Sequence, residues 1–233
     1  MFKFVYLQKR ILQFVAFRPA GCFRQLQKQT ALAMDMDIPY WTLDICLSSP
    51  PTMQVGKTIL DRPRFALTLE RLCHQLLEDW GDFSDACIIG IQPRGTLLSN
   101  RIHARLEQLV GKKIEYGKLD ITFHRDDFRM PDGPLAPHPN EIDFIVADKK
   151  VLLIDDVLYT GRTISAALAA LQDYGRPSAV ELMVLVDRRF NRHLPVQADY
   201  IGITVDALNE AYVKVKWEEI HGGDEILLFD KKP

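Results

Sequence analysis

Between positions 64 and 80, apolar side chains fall at Phe65, Leu69, Leu72, Leu76 and Leu77, with Glu70, Arg71, His74 and Glu78 between them. Steps of three and four put the apolar set on one face, so the pattern predicts an amphipathic helix over 64–80. The run 86–91 is apolar throughout and meets Pro93, Arg94 and Gly95, which predicts a strand buried on both faces that ends in a functional loop. A helix is expected over 96–110 and an alternating strand over 113–122. From 123 to 140 the periodicity is lost while Pro131, Gly133, Pro134, Pro137 and Pro139 accumulate. A loop of that length in a compact domain serves function or is disordered.

The strand-to-helix plan then repeats. Residues 151–154 are apolar, Asp155 and Asp156 close them, Gly161 allows a turn, and an alanine-rich helix over 163–174 ends at Gly175 and Pro177. Further strands are expected over 180–186, 200–204, 212–217 and 225–229, the last two as a hairpin around His221, Gly222 and Gly223. Strands alternating with helices predict an α/β fold: a mostly parallel twisted sheet flanked by helices, with ligands at the C-terminal ends of its strands.

Composition changes this picture mainly at the N-terminus. The 233 residues, 47% apolar, suit one medium domain with an appendage, and a net charge of −2 gives no general attraction for a polyanion. Up to Met34 there are six Lys or Arg and no acid, which leaves 23 basic against 31 acidic residues beyond it. A basic, aromatic, acid-free stretch over 2–33 is shared by transit peptides and membrane-surface helices. Pro39, Pro50 and Pro51 separate it from the rest of the chain, and Met34, Met36 and Met53 offer later starts. The expected division is a leader over 1–55, disordered or upstream of the true start, and one domain over 56–233. Cys22, Cys46, Cys73 and Cys87 form no C-x-x-C pair or zinc spacing, so free thiols in the reducing cytoplasm are expected, with Cys87 in the core. No apolar stretch approaches the roughly 18 residues a membrane span needs.

The chemistry gathers in the run Val151-Leu152-Leu153-Ile154-Asp155-Asp156-Val157-Leu158-Tyr159-Thr160-Gly161-Arg162-Thr163. Two adjacent carboxylates at a strand end can offer oxygens to a sugar diol and to Mg2+. The N–H groups of Thr160 to Thr163, at the start of the next helix, can bind a phosphate, with hydroxyl donors from Thr160 and Thr163. Generic physics also allows an ordinary strand, turn and helix with Thr163 near the N-cap.

This run resembles the signature by which type I phosphoribosyltransferases bind 5-phosphoribosyl pyrophosphate (PRPP). Gly90-Ile91-Gln92-Pro93-Arg94-Gly95 resembles the family's pyrophosphate loop, and the run from Lys118 to Asp127 resembles the start of its mobile catalytic loop. Val184-Leu185-Val186-Asp187-Arg188 resembles its base-recognition strand. With Arg192-His193-Leu194-Pro195 and Ala198-Asp199-Tyr200-Ile201-Gly202, the resemblance narrows to the PyrR family over 59–229, a family of bifunctional pyrimidine-operon regulators and uracil phosphoribosyltransferases.

The resemblance implies the type I phosphoribosyltransferase fold, with a small C-terminal β element, and pentosyl transfer from PRPP to uracil, giving UMP and pyrophosphate with Mg2+. Asp155 and Asp156 would hold the ribose hydroxyls and the metal, residues 160–163 the 5-phosphate, and Pro93, Arg94 and Gly95 the pyrophosphate. Arg125 would swing in with the loop, and backbone groups near Val186, Asp187 and Arg188, with a rim around Asp206, would meet the base. Such a reaction builds positive charge on the ribose and negative charge on the leaving group, which metal, guanidinium groups and a cover against water would serve. Hypoxanthine-type relatives carry a lysine where Asp187 stands, which favours uracil. The resemblance also implies a homo-oligomer that binds an RNA hairpin through Arg71, His74, Arg188 and Arg192, although Glu70 stands where members can carry threonine. Enzyme, RNA-binding attenuator and both together remain open, with a purine enzyme as the rival within catalysis.

Overall fold

The computed structural model of the chain describes residues 56–125, 139–207 and 211–231. The expected leader lies outside the described residues, as do residues 126–138 of the expected loop. Helix α1 (Arg62–Trp80) starts two residues before its apolar pattern, because Asp61 caps it by accepting Arg64 N at 3.1 Å and Pro63 suits the first turn. Phe65, Leu72, Cys73 and Leu76 form its buried face.

Strands β2 (Ala86–Ile91), β3 (Glu115–Leu119), β4 (Lys150–Leu158), β5 (Ala179–Arg188) and β6 (Tyr200–Val205) form one parallel sheet in the order β3-β2-β4-β5-β6. Helix α2 (Gly95–Val110) connects β2 to β3, and α3 (Arg162–Leu171), prolonged by a 3-10 turn at Gln172–Tyr174, connects β4 to β5. These crossovers step outward in opposite directions from the adjacent pair β2 and β4. With right-handed crossovers, opposite steps require helices on opposite faces. Accordingly Leu152 and Ile154 of β4 pack with α1 and α2, whereas Val151 and Leu153 pack with Ile164, Ala167 and Ala170 of α3. A strand covered on both sides is apolar at every position, which is why 151–154 shows no alternation.

Residues 57–60, unmarked by any periodicity, form β1 (Lys57–Leu60). It pairs antiparallel with β8 (Glu225–Phe229), which pairs in turn with β7 (Tyr212–Lys216). This three-stranded sheet is the expected C-terminal β element, and the expected hairpin carries a short helix, α4 (Glu218–His221), between its strands. Several boundaries also differ from the pattern, three of them near the site. β3 stops at Leu119 because the Asp120 carboxylate accepts the N–H of Thr122 at 3.1 Å and its hydroxyl at 2.7 Å, folding the chain into a 3-10 turn at Thr122–His124. β4 runs through Asp155 and Asp156 to Leu158 instead of closing at them, and β5 continues to Arg188. No helix among the described residues is long and apolar enough to cross a membrane.

Candidate active site

Strands β2 and β4 are the switch point of the sheet, where the crossovers diverge and a crevice opens beyond the strand ends. Pairing between them ends at Gly90↔Ile154, while β4 continues against β5 through Asp155↔Val184 to Leu158↔Asp187. The two acids therefore lie on a strand held along one edge only, and the sheet parts at that point. On the other bank, the chain turns at Pro93 through a cis peptide into Arg94 and helix α2. A Cβ at Gly95 would lie 2.5 Å from Ile154 O and 3.0 Å from Asp155 Cα, so only glycine lets this loop approach the acids so closely.

Two cavities share Arg125, Asp155, Val157, Tyr159 and Thr163 in their walls. The smaller, about 420 Å³, follows the turn from Val157 to Ile164 and includes His193. Gly161, at φ +89°, is the N-cap of α3, so the helix begins at Arg162, one position ahead of the expected Thr163. The Thr160 hydroxyl accepts Arg162 N at 3.4 Å. Donors at a helix start, beside a glycine turn, suit a phosphate.

The larger cavity, about 690 Å³, runs from Gln92, Pro93 and Arg94 across Asp156 to Arg188, and β7 and α4 roof it. Asp155 and Asp156 are 5% and 8% exposed. Burial raises both carboxyl pKa values, the neighbouring acid raises Asp155 further, and the Arg94 charge pulls both back. Asp155 Oδ1 accepts Asp156 N at 2.9 Å. No group of three or more His, Cys, Asp or Glu among the described residues could hold a metal. The carboxylate pair therefore makes no cage; its hard oxygen donors would suit Mg2+, an ion that takes few protein ligands.

Several expected site residues sit elsewhere. Val151, Leu152, Leu153 and Ile154 are fully buried in the two cores because a doubly covered strand leaves them no cavity face. Val186 is likewise core. Asp187 is ion-paired to Arg192 at 2.5 Å, and Asp206 to Arg189 at 3.5 Å; neither lines the cavities, and β7 supplies the rim instead. Of the expected base residues, Arg188 lines the larger cavity. Its guanidinium lies 3.8 Å from the centre of the Tyr159 ring, and its Nε is buried without a partner. Burial lowers its pKa. At 5% exposure Arg188 does not reach the outer surface an RNA contact requires, and Arg192 is held by Asp187 and the Tyr159 carbonyl. Arg71 donates to the Ile201 and Gly202 carbonyls of edge strand β6, and the exposed His74 lies 4.0 Å from Glu70.

Sequence reasoning missed the roof residues Tyr212, Val213, Trp217 and Ile220. Gln92, named in the pyrophosphate-loop resemblance but given no role there, is a wall residue of the larger cavity; it donates to Pro139 O at 3.3 Å while its buried Oε1 has no partner.

A parallel sheet that parts over two acids, with an arginine on one bank and a glycine turn opening a helix on the other, is a framework that suits the phosphoribosyltransferase class. Residues 55–220 match the family model described as phosphoribosyl transferase domain. The chain is 39% identical over 181 residues to Bifunctional protein PyrR of Bacillus cereus (strain AH820), covering 77% of this chain and 100% of that protein. It is 41% identical over 176 residues to the protein of the same name from Elusimicrobium minutum (strain Pei191), covering 75% and 97%. Among solved structures, a hypoxanthine phosphoribosyltransferase of Staphylococcus aureus superposes with TM-score 0.54 at 18% identity, over 77% of this chain and 94% of that one. The hypoxanthine phosphoribosyltransferase of Trypanosoma cruzi gives 0.57 at 12%, over 76% and 98%. The structural likenesses bear on the fold alone. The chain belongs to the PyrR family of phosphoribosyltransferases.

Proposed function

We propose that the chain transfers the phosphoribosyl group of PRPP to uracil, forming UMP and pyrophosphate in the cytoplasm as a homo-oligomer. The observation that carries the transfer is the buried Asp155–Asp156 pair at the parted end of the sheet, between Arg94 and the turn over 160–163. In this reading the pair accepts hydrogen bonds from the ribose hydroxyls and holds Mg2+, which when bound offsets charge on the departing pyrophosphate. Arg94, with the backbone at Pro93 and Gly95, receives the pyrophosphate, and Arg125 covers it from the start of the long loop. Thr160, Gly161, Arg162 and Thr163 take the 5-phosphate. Arg188 donates its unpartnered Nε–H to a carbonyl of the base, below the roof formed by β7. Family membership supports uracil over hypoxanthine. Purified protein given PRPP and Mg2+ should convert uracil to UMP, and Asp156→Asn should lower the rate about a hundredfold or more. Turnover of hypoxanthine alone would replace the acceptor, and wild-type turnover by Asp156→Asn would remove the site.

A second reading, UMP-responsive binding of a leader RNA hairpin of pyrimidine genes, is favoured by 39–41% identity over nearly the whole length of proteins named bifunctional. With Arg188 buried and Arg192 half-buried, Arg71, although it donates to two β6 carbonyls, and His74 are the exposed members left from the expected set. Arg71→Gln should then flatten the salt dependence of hairpin binding by about one phosphate contact and leave UMP synthesis unchanged. Equal slopes and affinities in wild type and variant would remove this helix from any RNA surface.

A further inference from the structure

The segment that leaves β5 turns back onto the phosphate turn and grips it by its carbonyls. Arg192 Nη1 donates to Tyr159 O at 2.6 Å, and His193 N and Leu194 N donate to Thr160 O at 3.0 and 3.2 Å. The other terminal nitrogen of Arg192, Nη2, donates to Asp187 Oδ1 at 2.5 Å, close to where the chain leaves β5. In a planar trans peptide, the C=O of one residue and the N–H of the next point in opposite directions. Drawing Tyr159 O toward Arg192 therefore sends Thr160 N–H the other way. Drawing Thr160 O toward the 193–194 backbone does the same for Gly161 N–H. Both residues line the smaller cavity, as does His193 on the carbonyl side, and in the proposal below the two N–H groups are the donors offered to a phosphate. The Thr160 carbonyl is held by two backbone donors that any side chain would preserve, whereas the Tyr159 carbonyl is held by one side chain.

We propose that Arg192 is a positioning residue for the 5-phosphate of the ribosyl substrate: it fixes the Thr160 N–H by holding the peptide behind it, and it links that peptide to Asp187 at the end of the acceptor strand. This inference rests on the phosphoribosyl-transfer reading of the site. It gives Arg192 a task inside the enzyme in place of the surface contact with RNA that the sequence suggested. A planar fork is suited to it, since the carbonyl and the carboxylate are engaged at once by different nitrogens of one rigid group.

The test compares two probes, ribose 5-phosphate and pyrophosphate with Mg2+, by calorimetric titration of wild type, Arg192→Gln and Arg192→Lys. Arg192→Gln should weaken ribose 5-phosphate about tenfold and leave pyrophosphate unchanged, because one charge-assisted hydrogen bond loses its direction while Arg94 is untouched. Arg192→Lys, which keeps a donor for the carbonyl but not the fork, should regain part of the loss. In steady state, KM for PRPP should rise more than kcat falls. Thermal melts of the three proteins show whether any loss reflects the fold. If Arg192→Gln melts with the wild type and binds ribose 5-phosphate equally well, or if both probes weaken together, the inference is overturned. Should Arg192→Gln not fold, wild-type binding of both probes by Arg192→Lys together with Asp187→Asn would overturn it equally. Wild type that binds neither probe would overturn the reading of the site itself, a result separable from failure of Arg192 alone. Lost salt dependence of RNA binding with both probes unchanged would return Arg192 to an RNA surface.

Discussion

A carboxylate 5% exposed, beside a second one at 8%, is a costly arrangement for the folded chain by itself. Because burial raises both pKa values, the folded chain holds these protons more tightly than the unfolded chain. Stability therefore falls as pH rises from the unfolded carboxyl range through the folded values. Asp156→Asn should melt higher than wild type at pH 7, by roughly 2–4 °C for each kcal/mol relieved, and the difference should shrink below about pH 4. Addition of Mg2+ and PRPP should reverse the order: wild type gains about 2.7 kcal/mol at a hundredfold excess over Kd, and the variant gains little. Melting curves at both pH values, with and without substrate, check the two halves separately. The thiols make a simpler case. Burial pushes Cys73 and Cys87 up to about 12, so in a chain carrying Cys22→Ser and Cys46→Ser no thiol should react with a disulfide reagent until denaturant is added. Cys87 could be placed in the core from its apolar neighbours. Arg188, Arg192 and Gln92 could not be given their surroundings, because a long polar side chain has several directions open to it and the partner that decides among them is remote in sequence.

At the scale of elements, the small sheet and α4 form a roof whose attachment rests heavily on Arg101 of α2. Its guanidinium bonds Glu219 at 2.6 and 2.9 Å and Asp224 at 2.9 Å, and it lies 5.2 Å from the Trp217 ring and 5.9 Å from that of Phe65. Trp217, between β7 and α4, meets Phe65 edge-on at 5.4 Å, so the cation closes a contact between α1, α2 and the α4 end of the roof. With 22% of its side chain exposed, Arg101→Ala should cost about 2–3 kcal/mol, less than a fully buried pair, and should raise KM for the base more than KM for PRPP. Urea melts and two-substrate kinetics would show this, and equal effects on both KM values would detach the roof from base binding. The parallel strands and long helices were legible because burial on both faces, or at a spacing of about 3.6, writes itself into consecutive residues. β1 was not: its four residues bury one side chain, and only pairing with β8 makes them a strand. The extension of β4 past its acids was hidden for a related reason, since the backbone of β5 holds that stretch and the side chains of Asp155 and Asp156 give no sign of it.

For the whole molecule, the expected division at residue 55 turns into a prediction about where the chain can begin. A chain starting at Met53 retains β1 and should melt and turn over as the full chain does, with a net charge of −5 from 23 basic and 28 acidic residues. A chain starting at Arg62 loses β1 and the buried Leu60, and should be destabilised by about 2–5 kcal/mol. Loss of solubility in the Met53 chain would show that residues 1–52 contribute to the domain. The adjacency of β2 and β4 has a practical consequence of another kind. These neighbours in the sheet are separated in sequence by α2, β3 and the long loop, so Arg94 and the acid pair can be carried on separate polypeptides. Divided between residues 125 and 139, neither half holds a complete site, and product can form only where β2 has found β4 again. Fused to two proteins whose association is in question, such halves would make phosphoribosyl transfer a counter of encounters between them.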